Sequence, residues 1–140
     1  YTVTGNAQVR AYFNINSYKA VFYGNGGYWL DADNNPTIES VTLEFDYEEE
    51  ITAPSSIPVR TGYHLDADLP WGTELGYMDI EDVEFYAEWV PNEYEITFVV
   101  EGTSYESTQT YGEKLALADG VVTDNVKPGY TFKGWKLITQ

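Results

Sequence analysis

One pattern of 12 residues occurs twice in this chain: residues 11–22 read AYFNINSYKAVF and residues 87–98 read AEWVPNEYEITF. An offset of 76 aligns Ala11 with Ala87, Phe13 with Trp89, Asn16 with Asn92, Tyr18 with Tyr94 and Phe22 with Phe98. Self-similarity at a fixed period marks units that follow one another along a chain, each a small supersecondary structure. The alignment continues with two changes of spacing. Gly26 meets Gly102 at 76, Tyr47, Glu49 and Ile51 meet Tyr111, Glu113 and Leu115 at 64, and Gly62-Tyr63 meets Gly129-Tyr130 at 67. The first unit therefore carries an insertion around residues 28–39, and insertions in repeats map to loops, where function concentrates. The offsets predict residues 1–16 as the last strand of a preceding repeat, 17–90 as unit one with its inserted loop, and 91–140 as unit two, truncated at its C-terminus. The chain reads as a piece of something longer.

Period-two alternation runs through most of both units, and period two is the signature of a strand. Tyr18, Ala20 and Phe22 alternate with Lys19, Val21 and Tyr23, and Val41, Leu43, Phe45 and Tyr47 with Thr42, Glu44 and Asp46. Val83 to Trp89, Tyr94 to Val100 and Tyr105 to Tyr111 behave alike. Gly24-Asn25-Gly26-Gly27 and Glu101-Gly102 supply residues that tolerate the positive φ of tight hairpin turns. Glu113 to Asp119, ended by Gly120, predicts a short helix. The expected fold class is α+β, mostly β, with antiparallel sheets and one short helix per unit.

These motifs resemble the Listeria-Bacteroides repeat, also called the internalin B-repeat. The resemblance rests on Tyr18-x-Ala20-x-Phe22 with Gly24-Asn25-Gly26-Gly27, on Lys127-Pro128-Gly129-Tyr130-Thr131-Phe132-Lys133-Gly134-Trp135, and on Met78 through Val83-Glu84-Phe85-Tyr86-Ala87-Glu88-Trp89. Each unit departs somewhere: unit one follows Gly62-Tyr63 with His64-Leu65 and no Gly-Trp, and unit two has Glu101-Gly102-Thr103 in place of the glycine pair. The resemblance implies tandem β-grasp (ubiquitin-like) units of a surface protein of Gram-positive bacteria and other anaerobes, extracellular and cell-surface or wall attached. It implies a stalk, spacer or adhesin facing a host or bacterial surface protein or glycan, and it brings no catalytic residues. Read physically, Tyr130, Phe132 and Trp135 fit a core-facing strand. Val90-Pro91-Asn92-Glu93 reads as a short linker stiffened by proline.

Composition narrows the function classes. With 7 basic and 23 acidic residues the chain carries −16, so a nucleic-acid backbone would repel it. The first 90 residues hold 3 of the basic and 16 of the acidic side chains. Carboxylates at this density keep a protein solvated, and they also suit calcium or a cationic partner. There is no cysteine, so packing alone must hold the units together. No apolar run approaches the roughly 20 residues that span a bilayer, which predicts no membrane insertion.

Two candidate sites fall in or near the insertion. Asp31, Asp33, Asn35 and Glu39 present oxygens at the alternating places of an EF-hand-like calcium loop. However, Pro36 stands where that loop needs glycine, and Thr42 where it needs a bidentate glutamate. Asp66-Ala67-Asp68 repeats the carboxylate spacing with less context. Tyr28, Trp29 and Trp71 sit in glycine- and proline-bordered settings and are candidate platforms for stacking on a sugar face. Catalysis has little to stand on: His64 is the one histidine, and no serine occupies a nucleophile elbow. An isopeptide bond from Lys19 or Lys114 has no supporting spacing. Finally, unit two lacks a counterpart of Val83 to Trp89, whereas residues 1–13 are a spare copy of it, with Val9, Ala11 and Phe13 matching Phe85, Ala87 and Trp89. Open strand edges pair with other chains, so head-to-tail self-association through strand pairing is expected.

Overall fold

Nine strands run through residues 1–139, which the computed structural model describes: β1 (Ser17–Tyr23), β2 (Trp29–Leu30), β3 (Pro36–Ile38), β4 (Ser40–Asp46), β5 (Tyr63–Leu65), β6 (Val83–Tyr86), β7 (Trp89–Pro91), β8 (Glu93–Val100) and β9 (Thr103–Thr110). The chain divides into two units, Tyr1–Thr61 with Leu65–Trp89, and Gly62–His64 with Val90 onward. The architecture is mostly β, in small sheets.

In the first unit β1 is central. It pairs antiparallel with β4 along its whole length, Ser17 opposite Asp46 through Tyr23 opposite Ser40. On its other side it pairs parallel with β6, Ala20 opposite Val83 through Tyr23 opposite Tyr86. The alternation explains the core: Ala20 and Phe22 point to one face with Phe45 and Phe85, and all four are buried. Phe22 stacks on Phe85 with centroids 5.1 Å apart. The expected strand over Val83 to Trp89 stops at Tyr86; Ala87 still donates its N–H to the Tyr23 carbonyl at 3.0 Å.

Residues 47–61 and 65–82 cross that buried face without forming a helix and bury Ile51, Trp71 and Met78 on it. Pro54, Pro58 and Pro70, with Gly62, Gly72 and Gly76 at positive φ, interrupt any helical run. The segment is held instead by short backbone pairs, Glu48 N–H to the Met78 carbonyl and Met78 N–H to the Glu49 carbonyl, both 2.8 Å. The helix-on-sheet arrangement of a β-grasp is not formed among the described residues.

The second unit repeats the β1–β4 pairing as a direct hairpin. β8 and β9 pair from Glu93 opposite Thr110 to Val100 opposite Thr103. The register is the one the two offsets demand: Tyr47 N–H donates to the Asn16 carbonyl at 2.9 Å, and Tyr111 N–H to the Asn92 carbonyl at 2.8 Å. The turns match as well, with Asn25 and Gly26 at φ 49° and 96°, and Glu101 and Gly102 at 44° and 81°. Phe98 is buried where Phe22 is.

Three expectations for this unit need correction. Glu113 to Asp119 is turn and extended chain, because Gln109 takes the backbone partners a helix would use. Its side-chain oxygen accepts from Ala116 N–H at 2.9 Å and its amide donates to the Ala116 carbonyl at 2.6 Å. Tyr130, Phe132 and Trp135 form no strand. Phe132 and Trp135 meet edge to face and Trp135 meets Phe98 likewise, but both remain partly exposed; Tyr130 is exposed under the Lys127 ammonium, 4.5 Å from its ring centroid. Val90 and Pro91, read as linker, lie in β7. Residues 1–16 form no strand, and their side chains are exposed.

Candidate functional site

The insertion folds as a small hairpin, β2 against β3, closed at its tip by Asp31. One carboxylate oxygen of Asp31 accepts the backbone N–H groups of Asp33 and Asn35 at 2.9 and 3.0 Å, and the other accepts the Thr37 hydroxyl at 3.0 Å. Asn34 takes the left-handed conformation this tight turn requires, with φ 62°. These bonds favour the charged form, and the Asn35 N–H is the largest reason that the Asp31 carboxyl is held below the usual carboxylate range. Of the four residues read as calcium ligands, Asp31, Asp33 and Asn35 thus meet in one turn through the Asp31 carboxylate and backbone groups. Glu39 lies past β3, where its carbonyl accepts from Gly24 N–H at 2.9 Å. Among the described residues no group of three or more His, Cys, Asp or Glu is placed to hold a metal ion. Asp66 closes a second turn in the same manner, accepting from the N–H groups of Asp68 and Leu69.

Trp29 and Trp71 are not a platform open to solvent. They are 3% and 5% exposed, stack on each other with centroids 6.0 Å apart, and Trp71 meets Phe22 edge to face at 5.0 Å. The Trp29 indole N–H is satisfied by the Ser56 carbonyl at 2.9 Å. Both rings belong to the core, and a sugar cannot reach their faces without unfolding the unit. Glycine and proline neighbours report local backbone, and local backbone does not say whether a ring packs against another 42 residues away.

Tyr28, the third residue of that set, is partly exposed and borders a cleft of about 240 Å³ with Tyr23, Asn25, Gly26, Gly27, Glu39 and Tyr86. The parallel register of β1 and β6 puts Tyr23 opposite Tyr86 on the face away from the core. Their rings stack with centroids 5.0 Å apart and planes 14° apart. Glu84 orients both hydroxyls: Tyr86 donates to one carboxylate oxygen at 2.8 Å and Tyr23 to the other at 3.4 Å. The negative charge raises both phenols above the ordinary tyrosine value, chiefly by repulsion of the phenolate for Tyr23 and chiefly through the hydrogen bond for Tyr86. Asn25 is fixed at the rim by its amide, which donates to the Ala87 carbonyl at 3.0 Å. The result is an ordered aromatic shelf with polar groups around it. Tyr23 and Tyr86 were hidden within strand alternation, and the pairing that makes them a site is non-local.

In the second unit the exposed His64 has its Nδ1 2.6 Å from the side-chain oxygen of Asn92, itself partly buried, beside a groove that Tyr94 and Thr110 also line. The bond ties β5 to the residue between β7 and β8.

The chain is 29% identical over 145 residues to a protein of Evansella cellulosilytica described as a membrane protein, a match that covers 96% of this chain. The chain spans 19% of that relative's length. No solved structure matches. No helix among the described residues is long and apolar enough to cross a membrane. Residues 94–138, which contain all of β8 but Glu93, its turn, β9 and the Gly129-Tyr130 to Trp135 motif, match the Listeria-Bacteroides repeat domain. That stretch is similar to the Listeria-Bacteroides repeat domain.

Proposed function

We propose that this chain is a non-enzymatic repeat module of an extracellular bacterial surface protein, where it serves as a spacer or stalk. The observation that carries this reading is the repetition of one hairpin register in both units, joined to the repeat-family match over residues 94–138. Four of the side chains singled out for chemistry have structural duties: Asp31 and Asp66 close turns, and Trp29 and Trp71 fill the core. Two experiments test the proposal. Antibodies against the chain should label intact cells that make the parent protein; labelling only after permeabilisation would overturn the surface location. Deleting the two units from the parent should leave its ligand affinity unchanged, and a loss of affinity would favour an adhesin over a spacer.

A second reading, carbohydrate binding, is supported at a different place from the tryptophans. Tyr23, Tyr28 and Tyr86 border a cleft with polar groups at hand, the composition that stacks on a pyranose and hydrogen-bonds its hydroxyls. A glycan array separates the two readings. Binding lost on Tyr86→Ala with unchanged melting supports recognition, and absence of binding by the unmodified chain removes it.

A further inference from the structure

The polar groups around the tyrosine cleft of the first unit have mostly acceptors left to offer a ligand. Tyr23 and Tyr86 both give their hydroxyl protons to Glu84, at 3.4 and 2.8 Å, so their oxygens can only accept from anything else. The Asn25 amide nitrogen is tied to the Ala87 carbonyl at 3.0 Å, which fixes the side chain at the rim and leaves its oxygen as an acceptor. Glu39 lines the same cleft and is exposed. It serves the fold through its backbone, the carbonyl accepting from Gly24 N–H at 2.9 Å. Its carboxylate is a pure acceptor with a full charge.

Such a set selects a ligand that donates. An ammonium group is the plainest match, with three donors, no acceptor and a charge that tyrosine faces also attract. Tyr28 and Tyr86 keep 37% and 49% of their surface open for that contact. Arg60 reaches the same rim, its guanidinium carbon 3.4 Å from where a Cβ on Gly26 would lie, but one guanidinium against the carboxylates of Glu39 and Glu84 leaves the site negative. The wider field has the same sign, since residues 1–90 hold 16 acidic and 3 basic side chains. Size limits the ligand further: about 240 Å³ is below the roughly 300–1,000 Å³ of drug-sized sites and suits a single ring.

We infer that the cleft takes a sugar ring with a free amine, a 2-amino-2-deoxyhexose unit of a glycan, in preference to its N-acetylated or neutral counterpart. This assignment rests on the carbohydrate-binding reading of the same cleft and names the class of sugar. The pyranose covers tyrosine surface, its ammonium meets the Glu39 carboxylate, and the Asn25 and tyrosine oxygens accept from its hydroxyls. N-acetylation removes the charge and leaves one amide donor where there were three. A uronic acid would bring a carboxylate to a site that already holds two and would be repelled.

Calorimetric titration of the full chain with β-1,4-linked trisaccharides of glucosamine, N-acetylglucosamine and glucose tests the assignment. The glucosamine trimer should bind about tenfold or more tightly than the other two, the difference between a charge-assisted and a neutral hydrogen bond. Glu39→Gln should narrow that gap to about threefold or less, because the ammonium then meets a neutral amide. The Glu39 side chain is exposed and its structural bond uses the carbonyl, so the variant keeps its fold. Tri-lysine, with as many side-chain amines and no sugar ring, should bind at least about tenfold more weakly than the glucosamine trimer. Equal affinity for the three sugars would overturn the amine preference and leave the carbohydrate reading standing. Binding of none of them would remove both. Tri-lysine binding as tightly as the glucosamine trimer, or a gap unchanged by Glu39→Gln, would also overturn the assignment.

Discussion

The indole N–H of Trp89 donates to the carbonyl of Gly24 at 2.7 Å, so the residue that closes the first unit is fastened to the turn that opens it. The ring passes over Gly27, where an added Cβ would come within 2.2 Å of the indole and 3.0 Å of the Val59 carbonyl. The glycine run and the closing tryptophan are therefore one feature, 62 residues apart in sequence. The second unit has Thr103 at the position of Gly27 and cannot seat an indole in the same way.

Gly27→Ala should accordingly destabilise the first unit by about 1–3 kcal/mol through overpacking, read as a lower denaturation midpoint at constant slope. Trp89→Phe, which loses the hydrogen bond but keeps a ring, should cost less. If the two changes add independently, the ring does not rest on that glycine.

Trp71→Ala should cost about 3–5 kcal/mol, because it removes the ring that joins Trp29 to Phe22 and leaves a cavity between them. Trp29→Ala should be comparable. A small change in melting for either would return these residues to the candidate binding set.

The tyrosine pair gives a spectroscopic prediction. Tyr23 and Tyr86 should ionise above ordinary tyrosines in an ultraviolet titration, and Glu84→Gln should bring both back down. A phenol raised by folding adds stability that is complete below the ordinary tyrosine value, near pH 10, and is lost as pH rises through the folded-state value. A single unshifted phenolic transition in the unmodified chain would contradict the geometry.

Asp31 has the opposite sign. Its carboxyl is depressed in the folded state, so its contribution is present above the usual carboxylate range and is lost as pH falls through the lower folded value. Asp31→Ala should speed hydrogen exchange at Asn35 while leaving β1 protected. Since Asp31 already meets three donors, melting should be the same in calcium and in chelator. A rise in Tm with calcium would show a site completed by Asp33, Asn35 or Glu39.

What the residues disclosed follows from range. β1, β4, β8 and β9 and the positive-φ turns were legible, because alternation and glycine act within a few residues; the register had to come from the structure. The parallel docking of β6 on β1 was not, since nothing local tells Tyr86 to lie beside Tyr23. Trp29 and Trp71 misled for the same reason. The expected helix failed through a competitor: Gln109 offers Ala116 the hydrogen bonds that would otherwise start a helical turn.

Parallel pairing of β1 with β6 also decides how the first unit bears tension. Pulling on Ser17 and Tyr86 draws two parallel strands past each other, so their hydrogen bonds are loaded together in shear. Pulling on Ser17 and Asp46, neighbours at one end of an antiparallel pair, peels the bonds one at a time. Single molecules held by the first pair of points should therefore rupture at a higher force than those held by the second. Because β1 opens the unit's strand order and β6 closes its sheet, the strong direction is the one that runs along the chain from β1 to β6.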